Sequence, residues 1–491
     1  MFKQQFGARR MPLKPRLVLL AACLSLLVAG CGGPDPEIWH EAQLSREFTK
    51  DQIINSFEEY LALENAVFAQ QDELIYANTD SGPAFALQRY SRGSLSDPAQ
   101  RKPDWNRSFE LLPDYPRGGI LLLHGMSDSP YSLRALGQTL RQHGYHVIGL
   151  RLPGHGTAPS GMTRVKWQDM AAATLLAMEH LDRRLDGKPL HIIGYSTGAA
   201  LALDYALQSE QQSTLKSPAS LVLISPAIGI SPAAFLAKWT RRLAMLPGLS
   251  SLAWMQIEPE FDPYKYNSFA TNAAEQVHSA TRSVADRLAV RDKTIARLPP
   301  ILVLQSTVDA TISTDAVVDR LLGPLPSGRH ELVLFDINRY TANTALLVED
   351  PARFTQRLVE DRQLPFGLTL VSNTQNDTRE VTAYYRAPLA ATVSRKEALD
   401  EAWPKGVFSL SHVALPFPPD DPLYGKQRPA RSQGLFLGQQ ALQGERGLLR
   451  ISADYLLRLR HNPFYGYLER RVVEWVDTAS PGKTSPLSDP G

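Results

Sequence analysis

The sequence predicts an α/β fold built on a mostly parallel, doubly wound sheet, and three observations carry that prediction. Short apolar runs alternate with longer amphipathic segments through the middle of the chain. The apolar runs are continuous, with no polar residue at every second position. One strand-to-helix junction holds a serine between two glycines. Strands alternating with helices make βαβ units with right-handed crossovers and parallel strands. Continuous apolarity means that both faces of a strand are covered.

The bulk numbers bound the rest. At about 100–200 residues per domain, 491 residues hold one large domain with insertions, or two to three domains. Hydrophobic residues make up 43% and charged residues 21%, an ordinary globular composition. A net charge of +2 gives no electrostatic reason to expect a nucleic-acid partner. The two cysteines, Cys23 and Cys31, both lie near the N-terminus, so neither a disulfide framework nor a cysteine metal site is expected in the body. No cofactor and no metal are expected.

Residues 1–30 look like an address. Lys3, Arg9, Arg10, Lys14 and Arg16 precede an apolar run over 17–30, broken only by Ser25. The run falls short of the about 20 residues that span a bilayer but suits the core of a signal peptide. It ends in Leu27-Val28-Ala29-Gly30-Cys31, which resembles the lipobox of bacterial lipoproteins, where cleavage leaves Cys31 as an acylated first residue. The alternatives are an ordinary signal peptide or an uncleaved anchor with an incidental cysteine. Arg9-Arg10 is a weak twin-arginine match, because Pro12 follows where an aromatic is usual. Gly32, rather than Asp, after the cysteine implies by resemblance the outer membrane, facing the periplasm.

Residues 31–105 are expected to form a helical extension and linker, with near-helical apolar spacing over 37–76. This segment covers one edge of the fold or acts as a stalk. The core then runs over 106–228, with strands expected at 120–123, 147–152, 190–193 and 221–224. Helices are expected around 133–142, 165–185 and 199–208. A helical cap is expected over 229–298, rich in Phe235, Trp239, Leu243, Met245, Leu246, Leu252, Trp254 and Met255. The core resumes at 299–339 with strands at 301–304 and 332–335. A second insertion at 340–405 contains a β-hairpin over 368–372 and 380–385. The final core segment, 406–477, ends in a helix, and 478–491 reads as a Pro/Ser/Gly-rich tail.

The chemistry centres on Gly194-Tyr195-Ser196-Thr197-Gly198. A strand precedes this Gly-x-Ser-x-Gly match and a small-residue helix follows it, so Ser196 sits on a strained turn that projects its hydroxyl beyond the sheet. The strand 120–123 ends in His124-Gly125-Met126, and the backbone N–H groups of Met126 and Thr197 are the expected oxyanion hole. His124 precedes the nucleophile and is expected to be a structural hydrogen-bonder. An acid just past the strand 301–304 orients the base; Asp309 is the candidate, with Asp315 as a rival. The loop after the strand 332–335 has no histidine, so the base is His412, delivered by a short β-type run. His330 lies at the wrong end of its strand, and His461 precedes the helix-start signal Asn462-Pro463.

These residues carry a resemblance. The Ser196 elbow, His124-Gly125, Pro153-Gly154-His155-Gly156 and the segment from Phe261 to Phe269 resemble the monoacylglycerol-lipase, lysophospholipase and serine-aminopeptidase-like branch of the α/β-hydrolases. Arg151 departs from that pattern, in which an Asp is common. The resemblance implies an α/β-hydrolase fold and a Ser196–Asp309–His412 triad acting on acyl substrates, with His155 structural. The function expected is a carboxylic ester hydrolase, acting on acyl esters such as monoacylglycerols or lysophospholipids. The alternatives are a serine-aminopeptidase-like enzyme, with Glu258 or Glu260 receiving a substrate amine, and a non-catalytic lipoprotein scaffold.

Overall fold

In the computed structural model, the described residues are 35–229, 250–290, 293–309, 311–341, 347, 350–430, 434–438 and 459–479. Cys31 and the leader, the cap residues Phe235, Trp239, Leu243, Met245 and Leu246, and the tail beyond Ala479 lie outside them.

A ten-stranded sheet organises the molecule. Its strands are β1 (Phe109–Leu111), β2 (Gly118–Leu123), β3 (Tyr145–Leu150), β4 (Leu190–Tyr195), β5 (Ser220–Ile224), β8 (Ile301–Ser306), β9 (His330–Phe335), β10 (Gly367–Asn373), β11 (Glu380–Arg386) and β12 (Arg395–Ala402). The remaining two, β6 (Trp254–Gln256) and β7 (Phe269–Ala270), pair separately. The sheet order is β1-β3-β2-β4-β5-β8-β9-β10-β11-β12, and every pairing from β3 through β10 is parallel. The chain steps outward from β2 to β3, then returns across β2 to β4. Such an order reversal opens a crevice beyond the carboxyl ends of the strands, where α/β sheets place their ligands. This is the α/β-hydrolase fold.

Successive strand residues point to opposite faces, and the apolar runs fill both. Leu121 and Leu123 of β2 enter one core with Leu221, Leu223, Ile301 and Val303. Ile120 and Leu122 enter the other with Val222, Ile224, Leu302 and Leu304. On the first face lie α1 (Phe57–Leu74), α3 (Trp167–Leu185), α4 (Thr197–Ser209) and α5 (Thr271–Ala289). On the second lie α2 (Arg134–Gln142) and α7 (Tyr465–Thr478). Among the described residues, no helix is long and apolar enough to cross a membrane.

Three expectations need correction. The segment 340–405 contains the hairpin β10–β11, but it is built into the sheet rather than inserted beside it. Gly367 to Val371 of β10 pair in parallel with Glu331 to Phe335 of β9. Helix α6 (Ala352–Glu360) makes the crossover, so β9–α6–β10 is one more βαβ unit. Strand β12 then closes the edge with Arg395, Lys396, Glu397, Asp400 and Glu401, charges that oppose further strand addition. Second, helix over 37–76 is confined to the turn Ile38–Glu41 and to α1. Ser56 starts α1 by accepting the Glu59 N–H at 3.1 Å, and Ile53 upstream of it is 89% exposed. Third, the run leading to His412 forms no strand. It is held instead by Asn338, which donates its backbone N–H to Phe408 O and its side-chain amide to Val407 O, both at 2.8 Å.

Candidate active site

Strand β4 delivers Ser196 in a backbone conformation of φ 53° and ψ −114°, a region few non-glycine residues adopt. Such strain, on the order of 1–3 kcal/mol, persists only where the surroundings fix it. Here Ser196 N–H donates to Ile224 O at 2.9 Å, and Ser196 O accepts from Ala227 N–H at 3.1 Å. The flanking glycines answer a spatial demand. A Cβ on Gly194 would lie 2.5 Å from Ala199 Cα, and one on Gly198 would lie 2.7 Å from His124 O and overlap Leu123 O. The elbow thus lets α4 start directly against the end of β2.

His412 opens a single 3₁₀ turn, His412–Ala414, and is 5% exposed. Its Nε2 lies 3.1 Å from Ser196 Oγ, and its Nδ1 lies 2.8 Å from Asp309 Oδ2. Asp309 Oδ1 accepts the N–H groups of Thr311 at 2.9 Å and Ile312 at 3.0 Å. Burial alone would raise the Asp309 pKa. The His412 charge and hydrogen bond, with those two N–H donors, outweigh it and hold the carboxyl below its usual range. An ionised Asp309 fixes the proton on Nδ1, which leaves Nε2 free to accept the Ser196 proton. The three side chains proposed from sequence therefore meet in one chain of hydrogen bonds. The rival Asp315 is exposed on the surface, paired with Arg357 at 2.8 Å. His330 stands at the start of β9, at the opposite end of the sheet.

Thr197 is the first residue of α4, so its N–H has no intrahelical acceptor and carries the positive end of the helix dipole. Thr197 and Met126 both line the cleft onto which Ser196 and His412 open. Met126 is held from both sides. Tyr266 N–H donates to Ser127 O at 2.9 Å, and Asp128 N–H to Gly125 O at 3.3 Å. His124 braces the same turn: its Nε2 accepts Leu152 N–H at 3.1 Å, so Nδ1 carries the proton and donates to Gly125 O at 2.8 Å. Burial pushes the His124 pKa well down, keeping it neutral. His155 donates to Pro153 O at 2.9 Å.

Beyond His124 the brace reaches the N-terminal extension. Arg151 is fully buried, with Glu47 at 2.8 Å and Glu64 at 3.2 Å, and it donates to His155 O at 2.9 Å. Arg89 donates to Gly156 O at 2.9 Å, and Gln71 and Tyr90 donate to Thr157 O at 2.9 and 3.1 Å. The extension thus grips the loop after β3, and Arg151 is its docking residue.

The cleft measures about 570 Å³. Met126, Met255, Phe269, Val277, Ile312 and Val413 give it an apolar wall, and Gln256, Asn267, Asp128 and Lys265 a polar end. Asp128 and Lys265 form an ion pair at 3.5 Å that sequence reasoning missed, since no local pattern marks either residue. Glu258 and Glu260, the expected amine receptors, do not line the cleft. Glu260 is fully buried and accepts the N–H groups of Asn267 and Ser268 at 3.0 and 2.8 Å. A comparable cavity of about 560 Å³ lies beside His330 and Trp475, away from the triad.

The family model described as serine aminopeptidase, S33, matches residues 114–336. A thermostable monoacylglycerol lipase of Bacillus sp. (strain H-257) is 34% identical over 85 residues, or 17% of this chain. The match spans 33% of that relative's length. Among solved structures, the Paleococcus ferrophilus monoacylglycerol lipase is 20% identical, covering 47% of this chain and 88% of its own, with a TM-score of 0.36. A soluble variant of the Saccharomyces cerevisiae monoglyceride lipase is 17% identical, covering 47% and 82%, with a TM-score of 0.36. By its sheet order, its serine elbow and the family match, this chain has the α/β-hydrolase fold and is similar to the monoacylglycerol-lipase and S33 serine-aminopeptidase branch.

Proposed function

We propose that the protein is a serine hydrolase of carboxylic esters, with Ser196 as nucleophile, His412 as general base and Asp309 as its orienting acid. The continuous hydrogen bonds from Asp309 through His412 to Ser196, at the floor of an apolar cleft, carry this reading. His412 Nε2 takes the Ser196 proton as Oγ attacks the acyl carbon. The N–H groups of Met126 and Thr197 receive the oxyanion, at about 3 kcal/mol of transition-state stabilisation each. His412 then gives its proton to the leaving alcohol, and water resolves the acyl-enzyme by the same path.

The cleft favours an ester over an aminoacyl amide. Asp128, a carboxylate within it, is already matched by Lys265, which leaves no unpaired acid for a substrate amine among the described residues that line the cleft. Acylation of Cys31 would hold the enzyme on the cell envelope, at the outer membrane facing the periplasm. The test is a panel of p-nitrophenyl esters of graded acyl length beside aminoacyl p-nitroanilides, run with the wild type and Ser196→Ala. Ester turnover lost in Ser196→Ala supports the proposal. Turnover of aminoacyl amides alone would assign a peptidase, and inertness to both a scaffold.

A further inference from the structure

Two loops meet at the polar end of the cleft, and one bond sets their register: Tyr266 N–H donates to Ser127 O at 2.9 Å. The residues beside that bond are Lys265 and Asp128. Asp262 Oδ1 accepts the N–H groups of Tyr264 and Lys265 at 3.0 and 3.1 Å, which fixes the turn that presents Lys265. Ser127 stands at φ 64°, in the left-handed region that non-glycine residues seldom occupy. Such a conformation persists only where its surroundings hold it, here the Tyr266 N–H and the bond from Asp128 N–H to Gly125 O. It turns Asp128 back into the cleft. A Cβ placed on Gly125 would lie 2.8 Å from Asp128 Oδ2 and 3.2 Å from Ser196 Cβ, so the carboxylate and the nucleophile face one methyl-sized gap.

Asp128 takes no part in the triad, yet it is a buried acid beside it. Burial raises its pKa and the Asp262 charge adds to the rise, against the pull of Lys265 and His412. Among the described residues, Lys265 is the one cation in an ion pair with it, at 3.5 Å, and the lysine side chain is 34% exposed. An unpaired carboxylate in a dry cleft is costly and draws in a cation. At this position the cation it would draw is an ammonium on the carbon next to the scissile carbonyl. Lys265 fills that electrostatic role from within the chain.

We propose that Lys265 determines the substrate-charge specificity of the cleft: by neutralising Asp128 it reserves the site for acyl groups that are uncharged beside the scissile carbonyl, and its removal admits acyl groups that carry an amine there. This rests on the ester-hydrolase reading. The pair works in both directions, because removing Asp128 instead leaves an unmatched ammonium that selects an acyl group bearing a carboxylate.

The test measures kcat/KM of the full-length protein, near neutral pH, on three ethyl esters that differ in one substituent on the carbon next to the carbonyl. Ethyl isobutyrate carries a methyl group there, alanine ethyl ester an ammonium and ethyl hydrogen methylmalonate a carboxylate. The wild type should prefer the isobutyrate to both charged esters. Lys265→Met should raise the alanine-to-isobutyrate ratio by about 10- to 100-fold, the worth of one charge-assisted contact. Lys265→Arg should keep the wild-type ratio. Asp128→Asn should raise the methylmalonate-to-isobutyrate ratio by a similar factor. Ratios are read on the active fraction alone, so a partial loss of folded protein does not imitate these shifts. An alanine ratio unmoved in Lys265→Met overturns the proposal; where that variant does not fold, a methylmalonate ratio unmoved in Asp128→Asn does so. Folded wild-type protein that is inert on ethyl isobutyrate and on p-nitrophenyl esters overturns the ester reading instead, so the two failures are distinguishable.

Discussion

Replacing Arg151 by Met removes the cation that two buried carboxylates share. The Arg151 side chain is 1% exposed, that of Glu64 4% and that of Glu47 16%. Burial presses both acids toward neutrality. At Glu47 the Arg151 charge and hydrogen bond win and hold the carboxyl below its usual range, whereas at Glu64 burial wins and raises it. Breaking a buried pair by removing one partner costs about 3–5 kcal/mol, because the remaining charge has neither water nor a counter-ion. Arg151→Met should therefore lose about 3–5 kcal/mol in urea unfolding. Changing Glu47 and Glu64 to Gln in the same chain should recover part of that loss, since the three groups are coupled. Activity should fall too. Arg151 holds His155 O, and the adjacent Leu152 N–H holds His124, which fixes Gly125 beside the proposed oxyanion donors. A small misplacement there lowers kcat by between about 10- and 100-fold, with KM changing less. A stability loss below about 1 kcal/mol with unchanged kcat would refute the claim that the N-terminal extension braces the site.

Two other outcomes follow from the same geometry. Gly198→Ala puts a methyl group onto the Leu123 carbonyl and should cost at least about 100-fold in kcat/KM, or prevent soluble expression; near-native esterase activity would show that α4 shifts freely. Acid should destabilise the fold through its buried histidines. Burial lowers the pKa of His155 and His330 to about 4 and that of His191 to about 3, whereas histidines in the unfolded chain titrate near ~6.5. Between those values the unfolded chain binds protons that the folded chain refuses, so stability is full above about pH 6.5 and drains as pH falls toward 4. His155, fully buried, contributes on the order of 3 kcal/mol to that loss. A urea midpoint that stays flat from pH 7 to 4.5 would contradict this.

The elements legible in the sequence were those with local signals. The strands β2, β4, β5 and β8 are unbroken apolar runs, and the Ser196 elbow needs its glycines within two residues. The position of His412 between Asp309 and Ser196 was accessible by elimination, given the order of groups expected of the fold. What stayed hidden depends on distant partners. The placement of β10 in the sheet was missed because Leu368 to Val371 look the same whether they pair with β9 or only with β11. Arg151 stood out only as a departure, because its partners Glu47 and Glu64 lie far upstream among the ordinary charges of the N-terminal extension. Asp128 and Lys265 gave no signal at all, since 3.5 Å in space corresponds to distant loops in the chain.

The most direct test of the central claim is covalent. Incubating the protein with a fluorophosphonate and mapping the adduct by peptide mass spectrometry should place a single phosphonyl group on Ser196. Labelling should be abolished in Ser196→Ala and slowed strongly in His412→Ala. No adduct on native, folded protein, or an adduct that persists on another serine when Ser196 is Ala, would contradict the assignment of the nucleophile and its base.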